Sequence, residues 1–204
     1  IFISILSMLL GSVAAIFQTN IKRLIAYSSI AHVGFALVGL AAGNEIGFAS
    51  VLIYLTIYVF MNIAAFCIIL SLKRDGQFVE EIEDLSGLFK YQPFLAISFL
   101  VILFSMTGIP PLAGFFGKWM IFSAAVNSGL IYLAIIGVLS SVIGAFYYIR
   151  IIKIMFFDDI QSEIDEVDNR SLLFSLYLMI FIIVSFGLFL NWFYDISTFV
   201  STSL

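Results

Sequence analysis

Charge is scarce in this chain. Of its 204 residues only 11% are Asp, Glu, Lys or Arg, against about a quarter in an ordinary soluble domain. The single cysteine, Cys67, permits neither an intrachain disulfide nor a cysteine metal cluster. There is one histidine, His32, and there are three prolines. The sequence carries no glycine-rich nucleotide loop, no cluster of metal-ligating side chains and no Ser/His/Asp constellation. No covalent catalysis, no bound cofactor and no metal are therefore expected of it. The net charge of −4 is confined to connecting segments, and nothing resembles a basic nucleic-acid surface. The chain starts at Ile1, within an apolar stretch, with no initiator methionine and no charged n-region or cleavage site. It is expected to be a piece of a longer protein, cut upstream.

What fills the chain instead is apolar. It is 63% hydrophobic and its mean hydropathy is +1.17. That composition belongs to a polytopic membrane protein. Strand-like alternation is absent and open sheets cannot live in lipid, so the expected fold is an all-α transmembrane helix bundle. Spanning the hydrocarbon takes roughly 20 helical residues, and about six segments qualify: 1–18, 22–42, 47–72, 93–126, 129–156 and 171–194. Gln18-Thr19-Asn20 and Gly43-Asn44-Glu45 make short polar hairpin turns. Two longer links cover 73–92 and 157–170. In the first, Val79-Glu80-Glu81-Ile82-Glu83-Asp84-Leu85 is predicted to form a short amphipathic surface helix. The second, rich in Asp and Glu, reads as a solvated connection.

Segment 93–126 is too long for one straight pass. As continuous helix it would reach roughly 50 Å against a hydrocarbon core of about 30 Å. The better solution is one discontinuous pass, with halves about 93–107 and 112–126, broken at 108–111 by Gly108-Ile109-Pro110-Pro111. Two prolines remove two backbone donors and bar the residue before each from helical geometry. The freed carbonyls must then find water, a side chain or an ion.

Lys22, Arg23, Lys73, Arg74, Lys90, Arg150, Lys153 and Arg170 all fall on links that a six-pass topology puts on one face. The remaining basic residue is Lys118. By the positive-inside rule the basic face is cytoplasmic, or matrix-facing in a mitochondrion, with both chain ends on the other side.

Lys118 lies in Gly-Phe-Phe-Gly-Lys-Trp-Met-Ile-Phe, residues 114–122, deep in an apolar segment and beside the break. A lysine at the centre of a bilayer costs about 3 kcal/mol on insertion scales, so an intramembrane lysine points to function. It is the candidate central proton carrier. His32 is a candidate relay, because imidazole titrates near neutral pH and both ring nitrogens exchange protons. Packing by interhelical hydrogen bonding explains it equally well. Tyr27 and Ser28 lie about one turn from His32 and would extend a polar stripe. Lys22 reads as a membrane anchor with a secondary place near a proton entry. Tyr147 and Tyr148, with Arg150 and Lys153, read as an interfacial belt. Asn62, Ser105 and Thr107 are candidates for a water path, and Glu45 for an exit group or a solvated turn acid.

Three stretches taken together resemble a known family. They are Gln18-Thr19-Asn20-Ile21-Lys22-Arg23-Leu24-Ile25-Ala26-Tyr27-Ser28-Ser29-Ile30-Ala31-His32, Gly108-Ile109-Pro110-Pro111-Leu112-Ala113-Gly114-Phe115-Phe116-Gly117-Lys118, and Tyr147-Tyr148-Ile149-Arg150. They resemble the antiporter-like membrane subunits of respiratory complex I, NADH:quinone oxidoreductase. Asn20, where sister subunits usually carry aspartate, and Lys118, where one carries glutamate, favour one member among them.

The resemblance implies a C-terminal part of a longer protein. Residues 1–156 would be the second five-helix repeat, 171–194 the final transmembrane helix, and 1–204 a single membrane domain. It implies Lys118 on a central polar axis and His32 as the relay histidine. It places NADH, flavin, iron–sulfur clusters and quinone in other subunits. It implies other membrane-arm subunits, the lipid bilayer, protons and internal water as partners, with no nucleic acid. The implied location is a bacterial inner membrane or the mitochondrial inner membrane. The function it implies is proton translocation coupled to quinone reduction elsewhere. A secondary cation/proton antiporter of the same superfamily and a non-conducting scaffold of the membrane arm are the alternatives.

Overall fold

The computed structural model describes residues 1–167, 169–189 and 195–196. The first three helices are α1 (Phe2–Ile16), α2 (Ile21–Ala41) and α3 (Glu45–Ser71). Next come α4 (Leu88–Tyr91), α5 (Pro93–Thr107) and α6 (Ala113–Asn127). The series ends with α7 (Ile131–Phe157) and α8 (Arg170–Ser185). The all-α polytopic bundle is as expected. α2, α3 and α7 are long and apolar enough to cross a membrane, while α1, α5 and α8 are shorter apolar helices. The final span expected at 171–194 starts with α8. It continues as a 3-10 turn at Phe186–Phe189, and 190–194 lies outside the described residues.

Local chemistry sets the helix starts. Asn20 has extended backbone, and its side-chain oxygen accepts from the amides of Lys22 and Arg23, which capping requires at the start of α2. Asn44 does the same for Gly47 in α3. Pro93 opens α5 at a position where its missing N–H costs nothing.

α1 and α2 form a tight antiparallel pair. Gly11 lies against the backbone of Tyr27 and Ala31, so close that a Cβ there would come within 2.5 Å of the Ala31 nitrogen. Ser4 Oγ donates to the Gly34 carbonyl at 2.8 Å. Small residues at a crossing let helix backbones approach, and close approach is what holds helices together where lipid removes the hydrophobic driving force.

The three links expected on one face do meet at one end. The Ile21 amide donates to the Glu80 carbonyl at 2.7 Å, and the Ile82 amide to that of Thr19 at 2.8 Å. The Asp165 amide donates to the Lys73 carbonyl at 2.8 Å. At the opposite end Asn44 Nδ2 donates to Ser128 Oγ at 2.9 Å, tying the other two turns together.

The links themselves differ from expectation. Within the stretch expected to be a surface helix, only Ile82–Leu85 is helical, and as a 3-10 turn, with the single turn α4 following it. Glu80 and Glu81 are drawn out to bridge onto the α1–α2 turn, which is bonded through the Glu80 carbonyl and the Ile82 amide. Before them β1 (Lys73–Arg74) and β2 (Gln77–Phe78) form a minute antiparallel hairpin. Asp75 and Gly76 turn it with φ of 52° and 76°, as a two-residue hairpin turn demands. The acidic link is docked rather than merely solvated. Ile164 is buried, and the Asp165 carboxylate accepts from the amides of Asp75 and Gly76.

Candidate functional site

α5 and α6 are the two halves of one broken pass, and the break is where the side chains of interest converge. Gly108 ends α5 in the left-handed region at φ 92°, its amide returning to the Phe104 and Ser105 carbonyls. A helix would next close Met106 with the amide of residue 110 and Thr107 with that of residue 111. Both positions are proline, joined by a cis peptide, and neither has an N–H. The Met106 and Thr107 carbonyls are thus left open at the negative pole of α5.

Lys118 fills that gap from the second turn of α6. Its Nζ donates to Met106 O at 2.9 Å, to Thr107 O at 2.9 Å and to Ser141 Oγ of α7 at 2.7 Å. It also stands 5.0 Å from the centre of the Phe35 ring. Lys118 is 7% exposed. An ammonium has three protons, and all three have acceptors here. A buried cation without that set would cost several kcal/mol. The two halves can close on each other because Gly114 lies against the Ser105 backbone, where a Cβ would collide with the carbonyl oxygen. Ser105 Oγ accepts from the Gly114 amide at 3.1 Å and contacts Met61 Sδ at 3.1 Å.

A second polar group also contacts Phe35, whose ring meets the His32 ring edge-on at 5.7 Å. His32 Nδ1 is 2.6 Å from the Tyr54 hydroxyl, and its Nε2 is 3.4 Å from that of Tyr148. The Tyr148 hydroxyl is in turn hydrogen-bonded to Ser28 Oγ. Ser28, His32, Tyr54 and Tyr148 are all at most 1% exposed. Tyr58 stacks on the His32 ring at 4.8 Å. Every link in the row Ser28–Tyr148–His32–Tyr54 joins groups that can both give and take a proton. The row can therefore run in either direction, according to the imidazole tautomer.

The expected residues thus separate. Lys118, Gly108, Pro110 and Pro111 form one cluster, and Ser28 and His32 belong to the other. Tyr27 is half-buried, with its ring against the apolar core and its hydroxyl apart from the His32 row. Lys22 is at the bundle end, where Nζ donates to Glu80 Oε1 at 2.7 Å, while Asn20 Nδ2 holds Glu80 Oε2 at 2.8 Å. Thr107 Oγ1 turns back on the Leu103 carbonyl at 2.8 Å, leaving its own carbonyl to the lysine. Among the described residues Asn62 Oδ1 is buried with no partner, and Glu45 is exposed.

The interfacial reading of Tyr147 and Tyr148 is overturned. They are 2% and 1% exposed and point into the bundle. The signal was present: Ser140, Gly144 and Tyr147 lie on one face of α7, with Tyr148 beside it, and all four are buried. Ser141 and Tyr54 were missed outright, since a lone hydroxyl in an apolar helix has no pattern of its own. Beside Lys118 and Ser141 a groove of about 1010 Å³ opens between α6 and α7, walled by apolar side chains such as Trp119, Phe122, Leu139 and Val142.

Residues 1–144 match the transmembrane family described as NADH:quinone oxidoreductase/Mrp antiporter. Among similar proteins, NADH-quinone oxidoreductase subunit N of Rhodospirillum rubrum is 59% identical over 172 residues, 84% of this chain and 35% of that one. Subunit N of Bartonella bacilliformis is 53% identical over 204 residues, 100% of this chain and 42% of that one. This chain therefore spans well under half the length of those relatives. Among solved structures, a chain of respiratory complex I from Thermus thermophilus with bound aureothin superposes with a TM-score of 0.82 at 28% identity. The match covers 95% of this chain and 44% of that one. A chain of the Mrp complex from Dietzia sp. matches with a TM-score of 0.84 at 20% identity, over 100% of this chain and 46% of that one, a likeness of fold alone.

Proposed function

The chain belongs to the NADH:quinone oxidoreductase/Mrp antiporter transmembrane family, and from that premise we propose that it is part of a subunit N-type membrane subunit that translocates protons. In this reading quinone reduction in other subunits drives proton transfer through Lys118. NADH, flavin, iron–sulfur clusters and quinone are bound elsewhere in the assembly, and this chain holds none of them. Residues 1–156 act as one five-helix repeat, with 171–194 as the final span. The basic end faces the cytoplasm of a bacterial inner membrane, or the matrix of a mitochondrion.

One observation carries the proposal: a buried ammonium seated on two carbonyls that Pro110 and Pro111 leave open. A scaffold needs neither the lysine nor the break. The proton changes hands where a neighbouring subunit's charge alters the balance between the ammonium and the free amine. The α5 carbonyl pole favours the ammonium, and an approaching positive charge disfavours it. The Ser28–Tyr148–His32–Tyr54 row supplies a second set of exchangeable protons. Water in the assembled membrane arm would have to join the two clusters.

The test is Lys118→Ala in the intact complex, with protons moved per electron and quinone reductase turnover as readouts. Both should fall about tenfold. Full coupled pumping in that variant rejects the proposal.

A further inference from the structure

The three acceptors around Lys118 Nζ are not alike. Met106 O and Thr107 O are backbone carbonyls and can only accept. Ser141 Oγ can accept or donate. When Lys118 is an ammonium, all three receive its protons, and the Ser141 hydroxyl has the Thr107 carbonyl at 3.4 Å as an outlet for its own. When Lys118 is a free amine it has two N–H groups and one lone pair. The two carbonyls can keep the two N–H groups. The lone pair needs a donor, and of these three partners Ser141 alone can be one.

From this asymmetry we propose that Ser141 is the proton relay of Lys118, passing its proton into the groove between α6 and α7. The inference rests on the proposed function above and adds its direction. The step balances as follows. The Nζ–H bond facing Ser141 breaks, and its electron pair stays on nitrogen as the lone pair. That proton forms a new O–H bond on Ser141 Oγ, while the former hydroxyl proton, turned from the Thr107 carbonyl to a water in the groove, passes to that water, which becomes hydronium. Afterwards the new O–H points back at the free amine, and the lone pair is matched without any side chain moving.

The surroundings give the direction. Both Lys118 and Ser141 line the groove, and Ser141 is half-buried at its wall. Phe35 closes another side of the ammonium with a ring that takes no proton. The carbonyl side belongs to the end of α5. Neither of the other two hydrogen bonds can start a relay, because a peptide carbonyl has no proton to pass on.

The experiment compares Ser141→Ala, Ser141→Thr and Lys118→Ala in the intact complex reconstituted in proteoliposomes, reading protons moved per electron. Ser141→Ala should lower the ratio and coupled turnover about tenfold, with the complex assembled and its affinity for quinone unchanged. Ser141→Thr keeps the hydroxyl and should restore most of both. If alanine and threonine are equally impaired, the serine serves packing and the relay is wrong. If Ser141→Ala pumps fully while Lys118→Ala does not, the relay fails and the role of Lys118 survives. If Lys118→Ala also pumps fully, both fail. Should the alanine variant not assemble, Ser141→Cys keeps the shape with only a weak donor, and an undiminished ratio there overturns the proposal.

Discussion

Gly108 faces Lys118 across the break, so closely that a Cβ on the glycine would stand 3.1 Å from the lysine Cδ. The glycine is also held at φ 92°, a region L side chains rarely adopt. Gly108→Ala should therefore act twice. Left-handed backbone costs alanine about 1–2 kcal/mol, which lowers the thermal stability of the assembled complex. The added methyl also displaces the lysine stem and weakens pumping. Gly108→Asn tolerates the backbone better but crowds the same stem, so it should recover stability without recovering protons per electron. Recovery of both would separate Gly108 from the lysine's function.

Pro110 and Pro111 withhold the two amides that would otherwise close on Met106 and Thr107. Replacing both by alanine restores two competing donors, one for each carbonyl that Lys118 uses. The variant should assemble, gain helix across the break and pump several-fold less well. Infrared or cryo-electron microscopic detection of an unbroken helix together with full pumping would show that the lysine does not depend on those carbonyls.

Tyr148 joins Ser28 to His32 through its hydroxyl. Tyr148→Phe leaves a buried hydroxyl and a ring nitrogen without their partner, at about 1–3 kcal/mol. Coupled turnover should drop several-fold. Tyr27→Phe, whose hydroxyl lies outside the row, should drop less. The reverse order in turnover assays would favour the stripe read along α2 over the row built between helices.

Gly114 and Gly144 test close approach directly. A Cβ at Gly114 collides with the Ser105 backbone, whereas one at Gly144 meets the Tyr147 hydroxyl oxygen at an ordinary 3.4 Å. Gly114→Ala should cost about 1–3 kcal/mol and lower the thermal midpoint of the complex. Gly144→Ala should change it little. Equal midpoints would mean that α5 and α6 can separate without penalty.

At the bundle end, Lys22 and then Asn20 hydrogen-bond Glu80 and hold its carboxyl below its ordinary 4.5. A depressed carboxylate contributes stability above its unfolded value. That contribution is lost as pH falls from 4.5 through the lower folded value. Acid titration of the purified complex should show this loss in the native chain and a shallower response over the same range in Glu80→Gln. Identical acid profiles would mean the link is held by the Ile21 and Ile82 amides alone.

Much of the fold is legible in the sequence. Apolar runs near the length of a bilayer can only be helices, because lipid supplies no partner for an open backbone. The break at 108–111 followed from two prolines, and the weight on Lys118 from the cost of burying an ammonium. Basic residues on alternate links gave the six-pass order, because that placement is a property of the chain alone. What it could not tell was which acceptors receive the lysine. Ser141 lies 23 residues away and Tyr148 lies 120 residues from Ser28, and only packing brings each pair within reach. Periodicity says which face of a helix is apolar. It does not say which other helix turns toward it, and in a bundle of nearly uniform hydropathy the faces barely differ. The prolines, the lysine and the length of each pass were thus settled by local covalent chemistry and solvation. The polar contacts that turn them into a site were settled by how the helices cross.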